Sequence, residues 1–131
     1  MAGELILIVE DDEKNRKLAR DVLRVKGYQT VEACTAEEAL RLAKETSPAV
    51  ILMDLQLPGM DGITALARLR ADPATRGIPV IAVTASAMTH NRQQILAAGF
   101  DGYQTKPINV NEFLETVRQV LDRHQAPGDD S

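Results

Sequence analysis

The sequence predicts a three-layer α/β sandwich built on a parallel sheet, and three observations carry that expectation. Three apolar runs of strand length, Leu5 to Val9, Val50 to Met53 and Val80 to Val83, contain no polar residue, as strands covered on both faces require. Helix-period segments separate the strands, so the chain reads βαβαβαβαβα from end to end. The connections are short, which leaves right-handed crossovers between parallel strands as the way to join them.

Taken in order, the first strand, Leu5 to Val9, runs into an acidic stretch. A helix follows, in which Leu18, Val22 and Val25 recur at i, i+4 and i+7 ahead of Gly27, a natural C-terminal cap. Tyr28 to Ala33 alternates apolar and polar residues and suits an edge strand. "TAEEALRLA" opens the second helix on Thr35 with Glu38 three residues later, the spacing of a capping box. The strand from Val50 stops at Asp54 and breaks into a Pro/Gly turn before a helix from about Ile63 to Ala71. The strand from Val80 ends on Thr84, and the next helix is read from Met88 to Ala98, with Gly99 as its cap. Gly102 to Thr105 is short and half polar, the second edge, and the last helix runs from Asn109 to Arg123 with Asn109 and Glu112 at capping spacing. With the first, third and fourth strands central, the order is 2-1-3-4-5. That is the flavodoxin-like order, in which ligands sit beyond the carboxyl ends of the strands.

The chain of 131 residues is 44% hydrophobic, enough for one core, so a single domain is expected over residues 1–123. The polar tail 124–131, "HQAPGDDS", is expected to be disordered. A net charge of −4, no Trp and only two Phe and two Tyr argue against nucleic acid as a partner. The first apolar run is too short for a signal peptide or a membrane span, and the start lacks the Met-Gly of a myristoylation site. One cysteine, Cys34, precludes an internal disulfide and fits a reducing, cytoplasmic setting.

The strand ends gather chemistry on one rim: Glu10, Asp11 and Asp12 after the first strand, Asp54 on the third, Thr84 on the fourth, and Lys106 followed by Pro107 after the fifth. Converging carboxylates repel one another and lose solvation, a cost relieved by a cation or by protonation. Oxygen ligands without His or Cys favour Mg²⁺ or Mn²⁺, and Mg²⁺ keeps room for water and a phosphoryl oxygen. A lysine ammonium and a threonine hydroxyl are the charge partner and donor that phosphoryl oxygens need, which leaves Asp54 as the nucleophile. Singly, each residue has an ordinary reading. Asp11 and Asp12 suit the cap of the first helix as well as a metal, Thr84 suits a satisfied strand end, and Lys106 suits a solvated surface. Their joint placement on one rim argues for a site.

"LIVEDD", "VILMDLQLPGMDG", "VIAVTA" and "TKPI", in this order and spacing, resemble the four signature blocks of the receiver domains of two-component response regulators, over residues 4 to 123. The resemblance implies that Asp54 accepts a phosphoryl group from the phosphohistidine of a sensor histidine kinase or a histidine phosphotransfer protein. It implies that Asp11 and Asp12 are the acidic pair, Asp12 the more direct metal ligand, with Asp54 and the backbone carbonyl of Gln56 completing the protein's share. Thr84, the Ala85 amide and Lys106 match the phosphoryl-binding groups, the Lys106-Pro107 bond is expected to be cis, and Tyr103 matches the aromatic switch position. Receivers dock their first helix on the kinase, which singles out Asn15, Arg16 and Ala19, with Pro107 beside them. "AVTASAM" and "KPI", with no output domain behind the last helix, are most similar to stand-alone receivers of the cell-division DivK type, whose phosphorylated surface serves a separate downstream signalling protein. Such motifs also occur in receivers attached to hybrid kinases.

The expected activity is phosphoryl acceptance followed by self-hydrolysis, with Gln56 and Ser86 flanking the site and able to shift its lifetime in either direction. Two other classes share parts of the pattern. A phosphatase of the haloacid-dehalogenase type also uses a strand-end aspartate and Mg²⁺, but needs a general acid two residues on, where Gln56 stands. A flavodoxin needs a Gly- and hydroxyl-rich phosphate loop after the first strand, where this chain has "EDDEKN".

Overall fold

In the computed structural model, residues 3–85 and 92–125 are described. Five strands and five helices alternate: β1 Leu5–Val9, α1 Glu13–Val25, β2 Gln29–Ala33, α2 Ala36–Thr46, β3 Val50–Asp54, α3 Gly62–Ala71, β4 Val80–Thr84, α4 Arg92–Ala97, β5 Gly102–Thr105 and α5 Val110–Gln125. The sheet is parallel throughout, in the order β2-β1-β3-β4-β5. The expected flavodoxin-like topology is the one observed.

The uninterrupted apolar runs have a simple cause. Successive side chains of a strand point to opposite faces, so a strand with helices on both sides needs apolar residues at every position. Leu7, Val9, Ile51, Met53, Val80 and Ala82 pack on one face, against α2, α3 and Ile95 of α4. Ile6, Ile8, Val50, Leu52, Ile81 and Val83 pack on the other, against α1 and α5. The outer strand β2, by contrast, is fully buried only at Ala33.

Local signals set the helix ends. Thr35 Oγ1 accepts from the Glu38 amide at 3.1 Å while Glu38 Oε1 accepts from the Cys34 amide at 2.8 Å, which satisfies two donors at the start of α2. Asn109 Oδ1 accepts from the Glu112 amide at 3.1 Å and opens α5, which runs two residues beyond the expected Arg123, to Gln125. Of the tail, residues 126–131 lie outside the described residues, as does Ser86. The helix expected from Met88 is described only from Arg92, because 86–91 also lie outside them.

The apolar residues that mark α1 as a helix are not all on its buried face: Leu18 and Val25 are 40% and 85% exposed, whereas Ala19 and Leu23 are buried. The sheet-facing stripe is rotated by about one residue, because a small alanine lets the helix axis approach the sheet and Leu23 fills the space beside it.

Candidate functional site

The parallel register brings the strand ends together. Val9 pairs with Met53, Asp54 with Val83, and Thr84 with Thr105, so the residues that follow each strand share one rim. Asp54 closes β3 and is 3% exposed. The turn after it is tight: the Leu55 amide donates to the Val83 carbonyl at 3.0 Å, and the Gln56 amide donates to Asp54 Oδ1 at 2.9 Å. A Cβ on Gly62 would lie 2.8 Å from the Asp54 carbonyl oxygen, so only glycine lets the start of α3 close down on this loop. Asp61 caps α3 by accepting from the Thr64 amide at 2.7 Å.

Lys106 crosses the rim. Its Nζ lies 2.6 Å from Glu10 Oε1 and 3.2 Å from Asp54 Oδ2. Its amide donates to the Thr84 carbonyl at 2.8 Å, and the Lys106-Pro107 bond is cis, as the resemblance implied. Thr84 is fully buried at the end of β4; Ala85 beyond it is exposed. Tyr103 pairs with Ala82 on β5 and is half-buried on the same face of the sheet as Ala82 and Thr84.

The acids do not divide as expected from the sequence. Oxygens of Glu10, Asp11 and Asp54 all lie within 4.8 Å of one another, a geometry able to hold a cation. Asp12 is not in this group. It is the N-cap of α1, its Oδ1 accepting from the amides of Lys14 at 2.8 Å and Asn15 at 3.2 Å. Glu10 takes the inner place because its amide continues the sheet, donating to the Ala33 carbonyl at 3.0 Å, and this turns its side chain into the rim. The sequence offered three consecutive acids; the signal that sorts them is the end of β1 at Val9, which makes Glu10 the first residue past the strand.

Burial pushes the Glu10 carboxyl up to about 7, with Lys106 opposing the rise and neighbouring Asp54 adding to it. The Lys106 ammonium is raised: burial works against its charge, and the hydrogen bonds and charges of Glu10 and Asp54 outweigh that effect. One ammonium thus pairs with two of three neighbouring carboxyl groups, and the raised Glu10 carboxyl reflects a rim crowded with acids. The donor set is all oxygen, at a place where excess negative charge gathers, and it fits a hard divalent cation such as Mg²⁺.

Of the residues expected to meet a kinase, Asn15 is half-buried and Pro107 exposed, but Ala19 is 4% exposed against the sheet. Arg16 also points inward, donating to Glu32 and to the Glu10 carbonyl. Ala19 is thus corrected from a contact residue to a packing residue, since a buried methyl offers a partner no surface.

The model of the response regulator receiver domain matches residues 6–118. The chain belongs to that family. It is 45% identical over 116 residues to the polar-differentiation response regulator DivK of Brucella ovis, spanning 88% of this chain and 94% of the relative. Among solved structures it is similar to the receiver domain of a sensor histidine kinase from Pseudomonas aeruginosa, at 35% identity with a TM-score of 0.80 over 93% of this chain and 97% of that one. That receiver carries a magnesium ion coordinated in its active site cleft. A CheY-like receiver from Methanospirillum hungatei is similar at 31% identity, TM-score 0.85, over 95% of this chain and 98% of that one. These relatives are response regulators and a kinase receiver, not phosphatases of the haloacid-dehalogenase type, and this receiver has an exposed amide side chain, Gln56, where such a phosphatase needs an acid. No helix of the described residues is long and apolar enough to cross a membrane.

Proposed function

We propose that this receiver accepts a phosphoryl group on Asp54 from the phosphohistidine of a sensor histidine kinase or a histidine phosphotransfer protein in the cytoplasm. The observation that carries the reading is Asp54 itself, buried at a strand end with Lys106 Nζ at 3.2 Å and two further carboxylates beside it. A buried carboxylate held beside an ammonium and next to two further carboxyl groups suits a nucleophile better than a stabilising ion pair.

In the proposed transfer an Asp54 oxygen attacks phosphorus in line with the departing imidazole; an O–P bond forms as the P–N bond breaks. Glu10, Asp11, Asp54 and the Gln56 carbonyl would hold Mg²⁺, or Mn²⁺ in its place, which when bound neutralises charge on the transferring oxygens. Lys106 swings its ammonium from Glu10 toward the phosphoryl oxygens, while the Thr84 hydroxyl and the Ala85 amide donate to them. Water later attacks the acyl phosphate, so the domain resets itself. The added charge of about −1.5 to −2 draws Thr84 toward Asp54 and lets Tyr103, on the same sheet face, rotate inward; this alters the α4-β5-α5 surface read by a downstream signalling protein. On the donor side, Asn15 and Pro107 remain the contact residues, joined by exposed Leu18.

The test is intact-mass measurement after incubation with acetyl phosphate and Mg²⁺. Wild type should gain one hydroxylamine-labile phosphoryl group and Asp54→Asn none; equal labelling of the two would remove Asp54 from the role.

A further inference from the structure

Beyond the groups on the rim, we infer that Arg16 is a positioning residue for the acidic loop, braced from the edge strand by Glu32. The inference rests on the phosphoryl-acceptor reading above and concerns how its cation site is aimed. Arg16 Nη1 donates to the Glu10 carbonyl at 3.0 Å, and Arg16 Nε donates to Glu32 Oε1 at 3.1 Å. Arg20 Nη1 donates to the other Glu32 oxygen at 3.2 Å, so the carboxylate is fixed from two turns of α1. The side chains of Arg16 and Glu32 are only 16% and 25% exposed.

The target of this network is what gives it a role. The Glu10 carbonyl belongs to the peptide unit that joins Glu10 to Asp11, two of the three acids that converge on Asp54. That stretch of backbone is gripped on three sides. The Ala33 carbonyl takes the Glu10 amide at 3.0 Å, Arg16 takes the Glu10 carbonyl, and Glu10 Oε2 takes the Asp12 amide at 3.2 Å. Orienting a peptide plane sets the direction in which the next side chain leaves the backbone, so Arg16 governs where the Asp11 carboxylate points. The guanidinium also places positive charge behind two acids that repel each other, and it does so from outside the cleft, leaving the cleft free for a cation.

Arg16 is the residue type for this. Its planar fork donates in two directions at once, to a carbonyl and to a carboxylate, whereas a single ammonium on a flexible stem does not fix both. Glu32, on β2 opposite Ile8, has no part in the converging acids; it also holds Arg20, but the arginine that links it to the Glu10 carbonyl is Arg16, so a change there reaches the acidic loop through Arg16.

The experiment is a calorimetric Mg²⁺ titration of the full chain as wild type, Arg16→Met, Arg16→Lys and Glu32→Gln, with amide exchange and melting temperature measured in parallel. Arg16→Met should weaken Mg²⁺ binding about tenfold, the usual scale for a residue that orients a ligand. Exchange at the Glu10 and Asp12 amides should speed up. Arg16→Lys should restore less than half of the lost affinity, and Glu32→Gln, which keeps an acceptor for Arg16, should show a smaller loss than Arg16→Met. A merely structural ion pair would lower the melting temperature and leave the affinity of the folded protein unchanged; that result overturns the inference. If Arg16→Met fails to fold, Glu32→Gln decides the matter by the same affinity readout. Wild type that binds no Mg²⁺ would instead overturn the reading of the site on which the inference rests.

Discussion

The two rims of the sheet both bury charge, and they treat it in opposite ways. At the amino ends of the strands, Arg70 donates to the carbonyls of Arg76, Ile78 and Gly99 and at 2.9 Å to Asp101, which also accepts the Val80 amide at 2.8 Å. Arg118 there meets Glu4 at 3.1 Å and the Tyr28 hydroxyl at 3.1 Å. Each guanidinium is matched by a carboxylate. At the carboxyl ends, Glu10 and Asp54 share the ammonium of Lys106, and the Asp11 carboxylate lies beside them. Matched charge ties loops together, whereas unmatched charge stores repulsion that a ligand can relieve. The first rim is built for stability and the second for binding, on one sheet and a few residues apart along each strand.

Breaking a matched pair should have the largest effect on stability. Asp101→Ala strips Arg70 of its carboxylate and the Val80 amide of its acceptor, and should cost about 2–3 kcal/mol. Chemical denaturation measures that loss, and Mg²⁺ affinity should stay as in wild type; a parallel loss of Mg²⁺ binding would join the two rims that the comparison separates. Gly62→Ala should rank next. Its Cβ meets the Asp54 carbonyl oxygen at 2.8 Å, so it should cost about 1–3 kcal/mol and slow acetyl phosphate labelling by displacing the loop that carries the nucleophile.

The unmatched rim should show itself through pH. The Glu10 carboxyl titrates at about 7 in the folded chain against 4.5 for the free group, so between these values the folded state binds more protons than the unfolded one. Stability contributed by that proton is complete below pH 4.5 and is lost as pH rises through 7. Without divalent metal, the difference in melting temperature between wild type and Glu10→Gln should therefore change steadily over this interval, to the disadvantage of wild type at the alkaline end. Added Mg²⁺ should stabilise wild type more at pH 8 than at pH 5. A difference that does not vary with pH would show that Glu10 stays ionised throughout. The smallest effect belongs to the exposed helix pair Lys17 and Asp21, 2.7 Å apart and at least half exposed: Lys17→Ala should leave the denaturation midpoint indistinguishable from wild type and metal binding unchanged.

Much of this was legible in the residues, for physical reasons that also mark where legibility ends. The central strands announced themselves because burial on both faces demands apolar residues at every position, and Asp54, Thr84 and Lys106 stood out because they interrupt or follow such runs. The inward face of α1 is not legible from apolar spacing, because Ala19 carries little hydrophobic signal yet is buried beside Leu23, while the more apolar Leu18 and Val25 are exposed. Within "EDD" the residue types are nearly equivalent. The end of β1 gives Glu10 to the rim and the start of α1 gives Asp12 to a cap, so the element boundaries, not the residue types, tell them apart. The Arg16–Glu32 link joins residues 16 apart in the chain, with no periodic pattern to betray it.

The division of the acidic run is the centre of the account, and one paired measurement addresses it. Asp11→Asn and Asp12→Asn each remove one charge, and asparagine caps a helix as well as aspartate does, so neither should disturb α1. Labelling by acetyl phosphate and Mg²⁺ affinity are measured for both beside wild type. Asp11→Asn should lose at least about tenfold in Mg²⁺ affinity and nearly all labelling, while Asp12→Asn should stay within about twofold of wild type in both. The reverse outcome, with Asp12→Asn inactive and Asp11→Asn unimpaired, would contradict this division.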